Sequence, residues 1–97
     1  MNKKDLAAAL AARVSIPHIK ATRILNAIFD ADNGIVANAL NDNQKVLLAG
    51  FGTFEVKTRA KRVGTNPATG DRIEIPAKPY VSFKSGKTLR ERIIARG

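Results

Sequence analysis

The feature that most constrains the fold is a pair of strand-like segments that cannot be buried on either face. From Lys57 to Arg62 the side chains alternate between two faces with a period of two, yet basic residues occupy both faces. The segment from Asp71 to Ala77 also alternates, with isoleucines on one face and charged residues on the other. Two such segments in succession predict a β-ribbon that leaves the body of the protein and returns to it.

The residues between these segments have the chemistry of a hairpin turn. Pro67 presets φ, Asn66 is suited to an Asx turn, and Gly70 is suited to a left-handed position. The tip of the ribbon is therefore predicted at residues 64–70. At ~3.3 Å per residue, about ten residues on each side reach roughly 30 Å, and a lone two-stranded ribbon is marginally stable in water. This ribbon, the arm, is expected to be mobile until it is bound.

The first forty residues predict helices. Asn2 and Asp5 have the spacing of a capping box, and apolar residues recur every four positions after them. A second apolar run is interrupted by the turn-like triplet Asp-Asn-Gly at 32–34. Because the spacing of seven from Ile28 to Ile35 keeps the apolar stripe in phase across the triplet, we expect one long helix with a weak point there.

After residue 44 the pattern changes to strands. β-rich residues on either side of Gly50–Gly52 predict a hairpin, and the segment Tyr80–Phe83 looks core-facing where the arm returns. Ser85 is expected to cap a final helix, with Leu89 and Ile93 on its inner face.

These elements predict an α+β fold with two N-terminal helices, a three-stranded antiparallel sheet extended into the arm, and a short C-terminal helix. The chain is expected to form one domain, 1–97, made of a helical dimerisation part at 1–43, the sheet and arm at 44–84, and the final helix at 85–97. Without the arm only about seventy residues remain, which is a marginal core. The long helix also has more apolar face than one subunit can cover, so we expect a homodimer.

Charge narrows the class of partner. The formal net charge is +9, of which residues 1–56 contribute +1 and residues 57–97 contribute +8. The basic surface is therefore built from the C-terminal part of the chain, where a polyanion would bind. A membrane surface or an acidic protein also fits this charge, and nucleic acid is the commonest answer.

Other classes of function find little support in the residues. Cysteine is absent, which excludes disulfides and thiolate metal sites, and no membrane-spanning or signal-peptide pattern is present, so a cytoplasmic location is expected. His18 is the only histidine, and Asp30 and Asp32 would point in different directions on a helix. We expect no enzyme, no cofactor or metal, no small-molecule substrate and no membrane partner.

Double-stranded DNA is the polyanion that best fits two arms related by symmetry. Arm cations would neutralise phosphates on both sides of a duplex and release counterions, which makes binding salt-dependent and largely independent of sequence. Pro67, an apolar residue at the apex of a basic arm, is placed to enter the minor groove and kink the duplex. The arm cations are Lys57, Arg59, Lys61, Arg62, Arg72 and Lys78.

Four motifs follow one another along the chain. They are Gly50-Phe51-Gly52-Thr53-Phe54, Gly64-x-Asn66-Pro67-x-Thr69-Gly70, Ile73-x-Ile75-Pro76-Ala77, and Phe83-Lys84-Ser85-Gly86-Lys87-x-Leu89-Arg90. Together with the opening Met1-Asn2-Lys3, this order resembles the bacterial HU and integration host factor family of histone-like DNA-binding proteins over essentially the whole chain. The resemblance also implies kinking by inserted side chains, a mechanism for which this same family is an example.

The resemblance implies an intertwined dimer with a helical base, two β-arms, and a saddle of sheet and third-helix residues under the DNA. It implies that Pro67 is the intercalating wedge, with Asn66 and Thr69 as its neighbours at the tip. The phosphate contacts that it implies for the body are Lys84, Ser85, Lys87 and Arg90, with Lys3 as a flanking contact.

The chain departs from the family pattern at two places. Thr65 stands where the family usually has arginine, so a cationic minor-groove contact is missing at the tip. The second helix also looks about one turn longer than usual around residues 32–34.

The predicted function is that of an architectural, nucleoid-associated DNA-binding protein of the HU kind, which bends or compacts duplex DNA without sequence specificity. Two alternatives stay open. One is a sequence-selective subunit similar to integration host factor, with a paralogous partner, although the motifs at 75–77 and 84–87 look closer to HU. The other is a basic RNA-binding protein, for which the charge and a flexible arm are equally suitable.

Overall fold

The computed structural model describes residues 1–96, which form two compact units that divide after Asp42. The first, the helical unit, contains α1 (Lys3–Val14), α2 (His18–Phe29) and α3 (Ile35–Asn41). The predicted capping box of α1 is confirmed, because Asn2 Oδ1 accepts the Asp5 N–H at 2.9 Å and Asp5 Oδ2 accepts the Asn2 N–H at 3.1 Å. These two bonds satisfy N–H groups that a helix start otherwise leaves without a partner.

The prediction of one long second helix is wrong, because residues 30–34 form a turn between α2 and α3. Asp30 leaves the helical conformation with ψ of 129°, and its Oδ1 accepts the Asp32 N–H at 3.2 Å. The Gly34 N–H then donates to the Asp30 carbonyl at 2.9 Å. A Cβ at Gly34 would lie 2.6 Å from the Asp30 backbone, so this close return of the chain requires glycine. Three helices therefore precede the strands instead of two.

The helical unit buries a small core. Ala7, Ala21 and Leu25 are its buried apolar residues, with Leu10 and Ile16 partly buried beside them. Several large apolar side chains of the same unit remain exposed. They are Leu6, Val14, Ile19, Ile24, Phe29 and Ile35.

The second unit, from residue 43 onward, contains two antiparallel sheets and a helix. Its elements are β1 (Val46–Leu48), β2 (Gly52–Arg59), β3 (Arg62–Thr65), β4 (Arg72–Ile75), β5 (Lys78–Ser85) and α4 (Lys87–Ala95). One sheet has the order β1-β2-β5, and β3 pairs with β4 to form the second. The predicted three-stranded sheet with a two-stranded arm is thus confirmed, and the α+β fold class with it.

The expectation that Ser85 caps the final helix is wrong. Ser85 is the last residue of β5 and pairs with Gly52, and Gly86 is the N-cap of α4, without a side-chain hydrogen bond. The turn between β1 and β2 provides the acceptors instead. The Gly86 N–H donates to the Phe51 carbonyl at 2.7 Å, and the Leu89 N–H donates to the Gly50 carbonyl at 3.0 Å. Sheet pairing therefore continues through residue 85 and delays the helix start.

None of the helices within residues 1–96 is long and apolar enough to cross a bilayer.

Candidate nucleic-acid interface

The tip of the arm is held by backbone hydrogen bonds in the conformation that its residue types predict. The Asn66 N–H donates to the Asp71 carbonyl at 2.8 Å, and the Gly70 N–H donates to the Asn66 carbonyl at 2.7 Å. Asn66 Oδ1 accepts the Ala68 N–H at 2.9 Å, which is the expected Asx turn. Gly70 has φ of +75°, the left-handed conformation expected for it. The tip is therefore a defined turn.

Pro67 lies exposed within this turn, and Thr69 supports the same loop. The Asp71 N–H donates to Thr69 Oγ1 at 3.3 Å. Thr65, which replaces the usual arginine, is the last residue of β3 and pairs directly with Arg72. The cation of the arm that pairs closest to the tip is therefore Arg72, on the opposite strand.

The two faces of the arm both carry positive charge. Because directly paired residues in an antiparallel ladder share a face, Arg72 lies on the face of Thr65, whereas Arg62 lies with its partner Ile75 on the other face. Lys61, just before β3, forms an ion pair with Glu74 at 3.3 Å. The arm thus presents cations on both sides.

The three-stranded sheet has one polar face, which the register of β2 and β5 defines. Directly paired residues on this face are Thr53 with Lys84, Glu55 with Ser82, Lys57 with Tyr80, and Arg59 with Lys78. Lys45 joins them next to Glu55. Part of this face forms a depression of about 260 Å³ lined by Lys45, Thr53, Glu55, Lys57, Ser82 and Lys84. Three of the predicted arm cations, Lys57, Arg59 and Lys78, therefore lie in the three-stranded sheet and not in the arm, because β2 and β5 pair as far as Arg59 and Lys78. We call these three cations, together with Lys45 and Lys84, the basic sheet face.

The opposite face of the sheet is apolar. The ring centroids of Phe54 and Phe83 are 4.8 Å apart, and those of Phe51 and Phe83 are 6.1 Å apart. Gly52 lies so close to Phe83 that a Cβ would be 2.5 Å from the ring. Aromatic packing on this side leaves the polar side of the sheet available for a ligand.

The sequence did not predict three residues of the polar face, which are Lys45, Glu55 and Tyr80. Lys45 Nζ lies 3.1 Å and Lys57 Nζ lies 3.8 Å from Glu55, whose side chain is 28% exposed. Tyr80, read as core-facing, lies on the polar face with the Arg59 Cζ atom 5.1 Å from its ring centroid. The period of two extended backward from Lys57 would have indicated Glu55. The positions of Lys45 and Tyr80 on this face could be assigned only from the pairing register of the strands.

The C-terminal helix adds cations at its start. Lys87 is the first residue of α4 and lies 3.8 Å from Glu91, one turn later. Arg90 Nη1 donates to the Ser85 carbonyl at 2.7 Å, so the guanidinium is tethered where β5 ends. Ser85, Lys87 and Arg90 are thus brought together around the start of the helix. Lys3, the other predicted contact, is the exposed first residue of α1 in the helical unit.

No group of three or more histidine, aspartate and glutamate side chains within residues 1–96 is arranged to hold a metal ion. A paired β-arm with cations on both faces, attached to a small sheet with a basic polar face, defines a class: α+β proteins whose β-structure carries a cationic surface suited to a polyanion.

Comparison with known proteins identifies the family. Residues 1–94 match the family described as bacterial DNA-binding protein. HU from Geobacillus stearothermophilus is 42% identical over 93 residues, which are 96% of this chain and 99% of that protein. HU-beta from Pseudomonas aeruginosa is 44% identical over 93 residues with the same coverage. A cocrystal structure of Anabaena HU with DNA has a TM-score of 0.80 at 36% identity and covers 96% of this chain and 97% of that chain.

The chain therefore belongs to the HU family of bacterial DNA-binding proteins. The resemblance seen in the motifs is confirmed, and so is the expectation that the chain is not an enzyme.

Proposed function

We propose that this protein binds duplex DNA without sequence specificity and bends it, acting as a homodimer whose arms enter the minor groove. The observation that carries the proposal is the tip, where an exposed proline stands on a turn fixed by hydrogen bonds from Asn66, Ala68 and Gly70. A rigid apolar group on a cationic arm is suited to enter between base pairs and kink the duplex.

Phosphate contacts supply the affinity in this proposal. The cations of the arm, the basic sheet face and α4 neutralise phosphates, and the released counterions make the affinity fall steeply with salt. Contacts of this kind carry no sequence information directly. Binding is therefore expected at any sequence that bends readily.

The homodimer is supported by the apolar surface of the helical unit. Only Ala7, Ala21 and Leu25 are buried apolar residues there, whereas Phe29 is 47% and Ile35 is 66% exposed. A unit with so small a core gains stability from covering these side chains with a second copy. Two copies also supply the two arms that a kinked duplex needs on both sides.

The comparisons support DNA as the partner, because the Anabaena relative was crystallised with DNA and covers nearly the whole chain. Because it is proposed to bind chromosomal DNA, the protein is expected on the nucleoid, in the cytoplasm. A cationic surface this extensive is also expected to bind RNA to some extent, since phosphate contacts do not distinguish the two.

The test is the binding of the purified protein to one duplex, intact and with a central nick, across a salt series. Tighter binding to the nicked duplex is expected, because bending a duplex at a nick requires less deformation energy than bending an intact one. Equal affinity for both duplexes, with equal salt slopes, would contradict bending. Preferential binding of structured RNA in a competition would replace DNA with RNA as the partner.

A further inference from the structure

Arg59 and Tyr80 meet on the polar face of the sheet, but they are not partners in the ladder. Arg59 pairs directly with Lys78, and Tyr80 pairs directly with Lys57. The Arg59 guanidinium nevertheless lies over the Tyr80 ring, with Cζ 5.1 Å from the centroid. It therefore reaches diagonally along the sheet, away from its own partner.

Electrostatics explains this diagonal reach. Like charges directly opposite each other on one face of a sheet are destabilising, and Arg59 and Lys78 are directly paired in the ladder. The face of an aromatic ring attracts a cation within about 6 Å of its centroid. Tyr80 thus gives the guanidinium a favourable position in which both cations remain on the same face.

Arg59 also occupies the last ladder position before the arm. The three-stranded sheet ends at the pair Arg59 and Lys78, and the arm ladder begins again at Arg62 and Ile75. The segments 60–61 and 76–77 lie between them without ladder pairing, and Pro76 has no N–H to donate. A cation fixed at Arg59 therefore marks the end of the ordered sheet, next to the point where the arm departs.

We propose that Tyr80 is a positioning residue that holds the Arg59 guanidinium for contact with a DNA phosphate at the base of the arm. A guanidinium attracted to the face of a ring stays near it, and its N–H groups can still donate to two phosphate oxygens at once. Holding the side chain in this orientation removes entropy that binding would otherwise lose. The proposal rests on the proposed binding of duplex DNA.

A double-mutant cycle tests the pair, with affinity for intact duplex measured over a salt series. Tyr80→Leu is expected to weaken binding by about two- to fivefold, the fold-change that corresponds to an exposed cation–π contact. Tyr80→Phe keeps the ring and is expected to bind as the parent does. In an Arg59→Ala background, Tyr80→Leu is expected to cause no further loss.

A second cycle supplies the matched control. Lys57 is the residue directly opposite Tyr80, but its Nζ lies 3.8 Å from Glu55 instead of over the ring. Lys57→Ala and Tyr80→Leu are therefore expected to couple more weakly than Arg59→Ala and Tyr80→Leu do.

Equal loss from Tyr80→Leu with and without Arg59 would overturn the proposal, and so would failure of Tyr80→Phe to bind as the parent does. Both results would mean that the tyrosine acts through the sheet or through its hydroxyl. These outcomes are separate from failure of the bending function, which is read from the parent protein on nicked and intact duplexes. A parent protein that bound no duplex at all would overturn both.

Discussion

The Lys45 ammonium lies 3.1 Å from the Glu55 carboxylate on the polar face of the sheet, and Lys57 approaches the same carboxylate at 3.8 Å. Glu55 is thus a negative group inside the basic sheet face. Since its side chain is only 28% exposed, the carboxylate is better shielded from water than the glutamates of the arm and α4, at 70% and 65%. A phosphate that binds here competes with Glu55 for both lysines.

Glu55→Gln is expected to tighten binding to duplex DNA and to steepen its salt dependence. Both lysines then become free to neutralise phosphates and displace counterions from the DNA, so the slope of log K against log salt should steepen by about one to two. Asp42→Asn makes the same change of charge in the helical unit and serves as control. If both variants gained affinity equally, net charge and not competition at the sheet would be the cause.

Pro67→Ala is expected to reduce bending more than affinity, because the wedge contributes deformation while the cations contribute most of the binding. Pro67→Leu keeps an apolar side chain at the tip and is expected to retain more of the bend. Fluorescence energy transfer between the ends of a labelled duplex measures the angle, and a filter-binding or anisotropy titration measures affinity. A Pro67→Ala variant that bent DNA as well as the parent would eliminate the wedge.

Lys87→Ala is expected to weaken binding to all duplex sequences alike and to lower the salt slope by about one, as for the loss of one phosphate contact. Lys87 is 80% exposed and makes one ion pair, with Glu91, so little folding stability depends on it. Lys20→Ala, in α2, removes the same charge from the helical unit. An unchanged slope for Lys87→Ala, or an equal change for Lys20→Ala, would count against a phosphate contact at α4.

Gly86→Ala is expected to destabilise the protein by about 1–3 kcal/mol, the usual cost of overpacking. A Cβ there would lie 2.8 Å from the Gly50 carbonyl carbon and 2.9 Å from its oxygen, and backbone atoms cannot move aside as a side chain can. At Gly64 a Cβ would meet only Ile75 Cδ1 at 3.4 Å, so Gly64→Ala should change stability by less than about 0.5 kcal/mol. Urea unfolding at one protein concentration compares the two variants.

Ser85→Ala should leave the stability of the protein within about 0.5 kcal/mol of the parent, because Gly86 and not Ser85 caps α4. Asn2→Ala removes a side-chain cap that is present and is expected to cost about 1 kcal/mol. Thermal unfolding followed by circular dichroism measures both. If Ser85→Ala lowered thermal stability as much as Asn2→Ala, Ser85 and not Gly86 would be the residue that caps α4.

Much of the fold follows from the sequence by local rules. The arm was predictable because charged residues on both faces of a period-two segment exclude burial, and its tip because Asn66, Pro67 and Gly70 each favour one turn conformation. The capping box of Asn2 and Asp5 was predictable for the same reason, since its bonds span only three residues. In each case the residues that determine the conformation are neighbours in the chain.

The tertiary structure decided what depends on distant segments. A spacing of seven kept the apolar stripe in phase through residues 32–34 whether or not the helix continued, and the break appeared only with the close return of Gly34 to Asp30. The start of α4 depends on carbonyls of the turn between β1 and β2.

The faces of Lys45 and Tyr80 were likewise settled by strand pairing. A shift of one residue in register would move every side chain of a strand to the other face, so local alternation alone does not say which cations and aromatic rings meet. The sequence by itself therefore determined which segments are strands, turns and helix starts. The pairing of those segments determined which residues form the basic sheet face, because contacts between distant segments depend on register and not on neighbouring residues.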